Sequence, residues 1–405
     1  MSTPAYTSFS GFSGKTLNLS PSQAVSVPSL RASWTRTPSA TTPSWGGTFV
    51  IDYKPPSGIK ITDAVVEFYV AALSGLTVTN SGTAALSPTF FWSSKIEILL
   101  NGVVLTTVYP ASAFARNQLF AGFEEDRQYI NNTSGDFNSH TSRATKSASA
   151  GYWYLPLGKT PLGQSGLKFI NGNTTLQLRF TLDSLSNLYS LTSGSTASGT
   201  AAAAISSATL LTREERLTDA QLSYETQIAR KAPIHYLYTS TLWQSNTIPA
   251  STTATTITLN NITGVVSHLI FMLRAGSSLS GSSYYTFSSE LSTYDILDQT
   301  SSSIVGGQPI LSNFGTQILP IRQGARTLFF NTVTSGVYLY SFAHDAGEHD
   351  STARHLGSRI FSGSEQLKLV FSSATAAVLQ CDIFAYQPYA LETSGGAVKT
   401  FAVHA

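Results

Sequence analysis

The sequence predicts an all-β protein built as two consecutive eight-stranded jelly rolls, with a few short helices in loops. Three observations carry this expectation. One β-unit is present twice: Phe169-Ile-Asn-Gly-Asn-Thr-Thr-Leu-Gln-Leu-Arg-Phe180 and Ile360-Phe-Ser-Gly-Ser-Glu-Gln-Leu-Lys-Leu-Val-Phe371 share a glycine and a Leu-x-Leu-x-Phe register. A second echo lies upstream in the same order, Ile61-Thr-Asp-Ala-Val-Val against Ile262-Thr-Gly-Val-Val. Two echoes at nearly equal offsets point to a tandem duplication of one large β-domain. The third observation is size. Each unit spans roughly 155 to 185 residues, too long for an immunoglobulin sandwich of about 100 residues or for a propeller blade.

Along the chain, residues 1–45 read as an irregular N-terminal arm, rich in turn formers and poor in periodicity. The first unit then runs from 46 to 230. Thr48–Tyr53 and Ile61–Ala72 are rich in β-branched and aromatic residues. Ile96–Leu100, Asn101-Gly102 and Val103–Tyr109 form the clearest hairpin, because Asn-Gly tolerates the positive φ angles of a type I′ turn. Pro110 can open a helix with Ala115, Leu119 and Phe123 on one face, stopping before Glu124-Glu125-Asp126. Leu176, Leu178, Phe180 and Leu182 alternate with polar residues, as in a strand with one buried face. The tract Ser193–Ser207 is almost wholly Gly, Ala, Ser and Thr and reads as a long exposed loop. Thr212-Arg-Glu-Glu-Arg216 suggests a short helical turn, and Leu222, Tyr224, Thr226 and Ile228 a further strand. Residues 231–235 read as the linker, and the β pattern restarts at Tyr236. The second unit covers 236–390, with Leu291–Leu297 as a weak helical candidate, and 391–405 reads as a tail.

Composition excludes several function classes. The 405-residue chain is 42% hydrophobic but only 11% charged, against a usual charged share of about a quarter. A surface solvated by hydroxyls and amides has little charge with which to resist self-association. The net charge of +2, without a basic stripe, argues against direct sequence-specific nucleic-acid binding. A single cysteine, Cys381, rules out an intrachain disulfide framework, and its strand-like setting suggests a buried apolar role. The first thirty residues lack the apolar run of a signal peptide, and no stretch approaches a membrane span. The sequons at Asn18 and Asn261 carry little weight without a secretory signal.

No enzymatic constellation emerges. The segment His344-Asp345-Ala-Gly-Glu348-His349-Asp350, with His355 beyond, contains metal-ligand types at no metal-site spacing, so a solvated loop or subunit contact is the expectation. No nucleophile elbow, Walker-A loop or dinucleotide fingerprint occurs. Arg213-Glu214-Glu215-Arg216 reads as a surface ion-pair cluster rather than a pair of catalytic acids. Trp153 and Trp243 could stack on sugars, but both sit in strand-like runs where core packing or an interface is the default.

Several segments together resemble double jelly-roll major capsid proteins of icosahedral viruses, the lineage that includes tectivirus coats and the adenovirus hexon. Gly151-Tyr-Trp-Tyr-Leu-Pro-Leu157 and the Leu176–Leu182 strand are similar to the late strands of that family's first roll. Asp219–Lys231 followed by His235-Tyr-Leu resembles its final strand and the crossing into the second roll. Val337-Tyr-Leu-Tyr-Ser-Phe-Ala343, Glu348-His349 and Gly357-Ser-Arg-Ile360 resemble its most recognisable second-roll segment. The resemblance implies a non-enzymatic virion protein, made in the host cytoplasm, without cofactor, catalytic residue or metal. It implies homotrimers that tile a shell as pseudo-hexameric capsomers. Implied partners are neighbouring capsomers, penton and minor capsid or membrane proteins, and an internal lipid membrane. The arm would then make inner contacts to that membrane or to neighbouring capsomers, with Phe9, Phe12, Lys15 and Arg31 as candidates. The alternative is a β-rich carbohydrate-binding or adhesion protein. A glycan-cleaving enzyme would need two positioned carboxylates, and no such pair is evident.

Overall fold

The computed structural model describes residues 32–120, 134–135, 139–157, 162, 167–170, 172, 174–231, 234–276, 291–297, 336–342, 358–394 and 397–402. In the first half the chain forms β1 (Ala32–Pro38), β2 (Thr48–Tyr53), β3 (Ile59–Val70), β4 (Ser74–Val78), β5 (Ala84–Leu86), β6 (Ser93–Leu100) and β7 (Val103–Val108). Helices α1 (Pro110–Phe120) and α2 (His140–Ser147) follow. The half continues with β8 (Gly151–Pro156), β9 (Lys168–Phe169), β10 (Leu176–Leu182), β11 (Tyr189–Leu191), β12 (Ala197–Ala202), β13 (Ile205–Arg216) and helix α3 (Asp219–Lys231). The second half contains β14 (Ile234–Ile248), β15 (Ala254–Thr258), β16 (Thr263–Val266), β17 (His268–Ala275), β18 (Leu291–Leu297), β19 (Val337–Ser341), β20 (Arg359–Ser362), β21 (Gln366–Phe371), β22 (Leu379–Ser394) and β23 (Ala397–Ala402).

The main strands of the first half pair as β1-β13-β3-β8 and β2-β10-β6-β7. Counted along the chain as eight long strands, these orders are 1-8-3-6 and 2-7-4-5, the two facing sheets of a jelly roll. The second half repeats them. Its sheets are β14-β22-β17-β19, again 1-8-3-6, and β15-β21-β18, again 2-7-4. Residues 298–335, between β18 and β19, lie outside the described residues. The protein is a double jelly roll. All long ladders are antiparallel, and each roll closes on its own buried core. In the first, Phe49 stacks on Phe180 at 4.6 Å while Phe68 meets both edge-on. In the second, Phe271 stacks on Tyr338 at 5.1 Å and meets Tyr294 edge-on.

The sequence echoes have structural counterparts. β10 and β21 are the seventh strands: Leu176 lies between Tyr53 and Leu100, and Leu367 between Ile257 and Ile296. β9 pairs with the start of β3 as β20 pairs with β16. Ile61 lies near the start of β3, and Ile262 immediately precedes β16, the short strand just before β17. The shared glycine is less informative, since Gly363 adopts φ +86° and Gly172 is not among the positive-φ glycines. The Asn101-Gly102 hairpin forms as expected, with φ of 50° and 80° as a type I′ turn requires.

Other expectations are corrected. The stretch read as an arm to residue 45 already contains β1, which pairs with β13 from Ala32↔Glu215 to Pro38↔Thr209. It was illegible because an edge strand is held by its backbone, and Trp34 and Arg36 are exposed. The Ser193–Ser207 tract is largely exposed but ordered, with β12 pairing β4. Thr212–Arg216 is part of β13 rather than a helical turn, and Leu291–Leu297 is strand β18. Asp219–Lys231 is a helix, not a strand. Thr218 and Gln221 form a reciprocal cap: Gln221 N donates to Thr218 Oγ1 at 3.2 Å, and Thr218 N donates to Gln221 Oε1 at 3.1 Å. The apparent alternation fails because Tyr224 projects into solvent. Beyond residue 390, β22 continues to Ser394 and β23 folds back on it, so this stretch is not a free tail.

The first residue of α2 ties the loop region of the first roll together. His140 Nε2 lies 3.2 Å from Thr83 O and 3.3 Å from Thr192 Oγ1, and Nδ1 lies 3.3 Å from Ser190 Oγ. Burial, with the nearby Arg143 charge, depresses its pKa below the usual value despite the Thr83 hydrogen bond. The unfolded chain therefore binds this proton first, so the neutral-form contribution is complete above the ordinary histidine range and is lost as pH falls below about 6.5. Amide hydrogen exchange around β5, β11 and α2 should quicken between pH 7 and 5 after correction for intrinsic rates. His140→Gln should flatten that dependence. An unchanged profile in the variant would remove His140 as its source.

Candidate functional site

The described residues offer faces rather than a catalytic centre, and the best defined of these joins the two rolls. Strand β7 ends at Val108, Tyr109 follows, and Pro110 opens α1 at the first helical position, where a missing N–H costs nothing. Ser112 Oγ donates to Tyr109 O at 2.8 Å. The helix then buries two sides. Phe114 enters the first core against Phe91 and Phe90, at 5.3 and 6.0 Å between ring centres. Ala115 turns the other way, into a separate cluster with Ile270, Met272, Val337, Leu339, Phe384 and Tyr386 of the second roll. The expected helix is present and Ala115 is buried. The Leu119 side chain and Phe123 lie outside the described residues.

Polar and aromatic contacts fix this junction. Tyr386 donates to Ser112 O at 3.0 Å, Tyr238 donates to Leu105 O at 2.8 Å, and Thr106 Oγ1 lies 3.0 Å from Ser240 Oγ. The Arg116 guanidinium stands 5.8 Å from the centre of the Tyr386 ring. Burial pushes the Tyr386 phenol up, although Arg116 opposes the shift. Tyr109 packs on Trp243 and Phe384, and Tyr238 with Leu391 joins the first core. Beside this cluster, Arg274 and Asp382 form a buried ion pair, and Asp382 also accepts from Ser245 Oγ at 2.6 Å and Trp243 Nε1 at 3.1 Å.

The sequence-derived candidates sort as follows. Phe9, Phe12, Lys15 and Arg31 lie outside the described residues, as does the segment from His344 to His355. No group of three metal-ligating side chains occurs among the described residues. Cys381 is fully buried, and burial raises its thiol pKa well above the usual value. Trp153 is buried in the first core, while Trp243 is partly exposed at the roll junction. Glu214 is not a surface charge: it is buried, accepting from Tyr53 OH at 2.5 Å and Thr212 Oγ1 at 3.0 Å. Its cluster is divided because alternate residues of β13 face opposite sides of the sheet. Sequence reading missed the two-sided role of α1. The run Pro110-Ala-Ser-Ala, whose small side chains permit close approach, was its only signal.

Comparison with known proteins agrees with the topology. No protein-family model matches the sequence, and no curated protein matches it. Solved structures do. A chain of the PBCV-1 virus capsid shares 17% identity at a TM-score of 0.65, covering 93% of this chain and 98% of that one. The Faustovirus major capsid protein shares 9% identity at a TM-score of 0.65, covering 93% and 91%. The mavirus major capsid protein shares 9% identity at 0.53, covering 91% and 90%. At such identities the likeness is one of fold, and it extends over both rolls.

The junction predicts a graded mutational response. Tyr386→Phe leaves the ring in place but removes its hydrogen bond to Ser112 O, and should cost about 1 kcal/mol. Ala115→Glu forces a carboxylate into an apolar contact and should cost more than about 3 kcal/mol. Denaturant unfolding followed by fluorescence and circular dichroism measures both. Equal small losses would show that α1 does not bind the rolls together.

Proposed function

We propose that the chain is a structural, non-enzymatic protein of an icosahedral virus shell, acting as a homotrimer with pseudo-hexameric outline. The observation that carries this reading is the repeated 1-8-3-6 and 2-7-4 sheet order in two rolls joined through α1. Two similar lobes at a fixed angle give three copies six lobes, so threefold symmetry suffices for a hexagonal tile. The likeness in fold to the PBCV-1, Faustovirus and mavirus capsid structures supports the same reading. So does the 11% charged composition, which leaves broad faces free of like-charge repulsion. Permanent interfaces of this kind bury more than about 2,000 Å².

The virion is the proposed location. Neighbouring capsomers, penton and minor capsid or membrane proteins, and an internal lipid membrane are the proposed partners. Because β1 begins at Ala32, the proposed arm is residues 1–31, with Phe9, Phe12, Lys15 and Arg31 contacting neighbours or membrane at the inner base.

Multi-angle light scattering of purified protein at micromolar concentration should give the trimer mass across a range of salt, and a monomer throughout would refute the capsomer. Deletion of residues 1–31 should preserve the trimer while reducing closed shells in electron micrographs. Shells of normal yield would deny the arm its role.

A further inference from the structure

The connections at one end of the first roll bound a cavity for which a shell role has no use. Strand register fixes which end this is. Ala32, Ile59 and Arg216 stand together at one end of the β1-β13-β3 ladder, through the pairs Ala32↔Glu215 and Arg216↔Ile59. Val70 stands at the opposite end, paired with Ile205 and Gly151. The chain leaves β3 there, away from the start of β1, and enters β4. Between β4 and α2 lies an open cavity of about 580 Å³, within the range of about 300–1,000 Å³ usual for small-molecule sites. Leu76, Val78 and Ala144 supply apolar wall, and Ser74, Thr141 and Thr145 supply hydroxyls. None of the side chains lining it is charged. The Ser193–Ser207 tract has a place in this arrangement. Its β12 backs β4, and Gly75 and Gly199, both at positive φ, cross so closely that a Cβ on either would collide with a backbone carbonyl of the other strand. A ribbon of small residues thereby stands as a thin wall without filling the space beside it.

We infer that this cavity binds an uncharged saccharide. The hydrogen-bond inventory decides the class. Ser74 Oγ donates to Ala202 O at 3.2 Å, and Thr145 Oγ1 donates to Thr141 O at 3.0 Å. A hydroxyl carries one proton, so both have only acceptor capacity left for a ligand. The ligand must therefore bring donors. An ammonium or guanidinium group would bring them, but no carboxylate lines the cavity to offset its desolvation. An anion would meet acceptors and no cation. A hydrocarbon chain would strip water from these oxygens and return no hydrogen bond. A sugar ring offers hydroxyl donors around its rim and C–H groups on its faces, which suits hydroxyls set among Leu76, Val78 and Ala144. Binding itself does not depend on the shell role. Only its orientation rests on that reading: with residues 1–31 at the inner base, the cavity faces outward from the particle.

The test applies fluorescently labelled full-length protein to an array of neutral, sialylated and sulfated glycans, with a fluorescent fatty acid tested separately in solution. Retention on neutral glycans alone is expected, and the retained saccharide is then titrated by calorimetry. Thr145→Val keeps the shape of the wall and removes one acceptor, and should weaken binding about three- to tenfold. Ala148→Trp, at the exposed C-cap of α2, fills the cavity and should abolish binding with an unchanged circular dichroism spectrum. Thr145→Trp fills it from the preceding turn, so misfolding of one variant leaves the other to decide. Retention on charged glycans only, binding of the fatty acid only, no binding, or binding unaffected by all three substitutions would overturn the inference. Light scattering reports the trimer independently, so each of these outcomes leaves the capsomer reading standing. A monomer that retains neutral glycans would refute the capsomer and keep the site.

Discussion

The structure depends on the burial of one sheet from both sides. β17, β19 and β22 send alternate residues into the second core and into the cluster around Ala115, so neither face of that sheet meets water at its centre. The helix that covers it belongs to the other roll and is itself anchored by Phe114 among Phe90 and Phe91. A small residue at the contact is what the geometry requires. Alanine lets the helix backbone come close enough for Ser112 O to accept from Tyr386, which a larger side chain would prevent. The two rolls therefore form one packed body, with an angle set by side chains rather than by the short linker.

The same coupling runs through the longest ladder. β14 and β22 pair continuously from Ile234↔Thr393 to Ile248↔Leu379, and their outer ends deliver Tyr238 and Leu391 into the first core. A strand that serves two cores transmits its register between them, because a one-residue slip would exchange buried and exposed side chains in both. The buried Arg274–Asp382 pair adds direction to this packing. Its net stabilisation is small once desolvation is counted, but loss of either partner would leave an uncompensated charge and cost about 3–5 kcal/mol.

What the sequence made legible follows from the same physics. Two jelly rolls, the Asn101-Gly102 turn and the α1 start were readable because each rests on local chemistry or a strict alternation. β1 and β12 were not readable. Their side chains are mostly exposed, and a strand held by backbone pairing leaves little hydrophobic pattern. α3 misled by its Leu222-to-Ile228 alternation, although the Thr218–Gln221 cap announced a helix. The junction was legible only as a helix. Its partners, Phe384 and Tyr386, stand more than 250 residues away in a strand that also reads well as an ordinary two-faced element.

The position of the strongest sequence echo has a physical reason. β10 and β21 lie between two neighbours in their sheets and direct Leu, Leu and Phe into equivalent cores. Their inward residues must fill the same kind of space, so divergence between the rolls is restricted there. The third strands obey that rule on one face only. Inward, Val66 and Phe68 have Leu269 and Phe271 as counterparts in kind; outward, Glu67 and Tyr69 stand where the second roll has Ile270 and Met272. The inner faces of a duplicated fold answer to one requirement and stay alike. The outer faces answer to different neighbours: an apolar set beneath α1 in one roll, and in the other an aromatic and charged set in which Tyr152 is exposed and Glu67 is buried against Arg36. Where equivalent strands agree inside and disagree outside, the difference records what each face must meet.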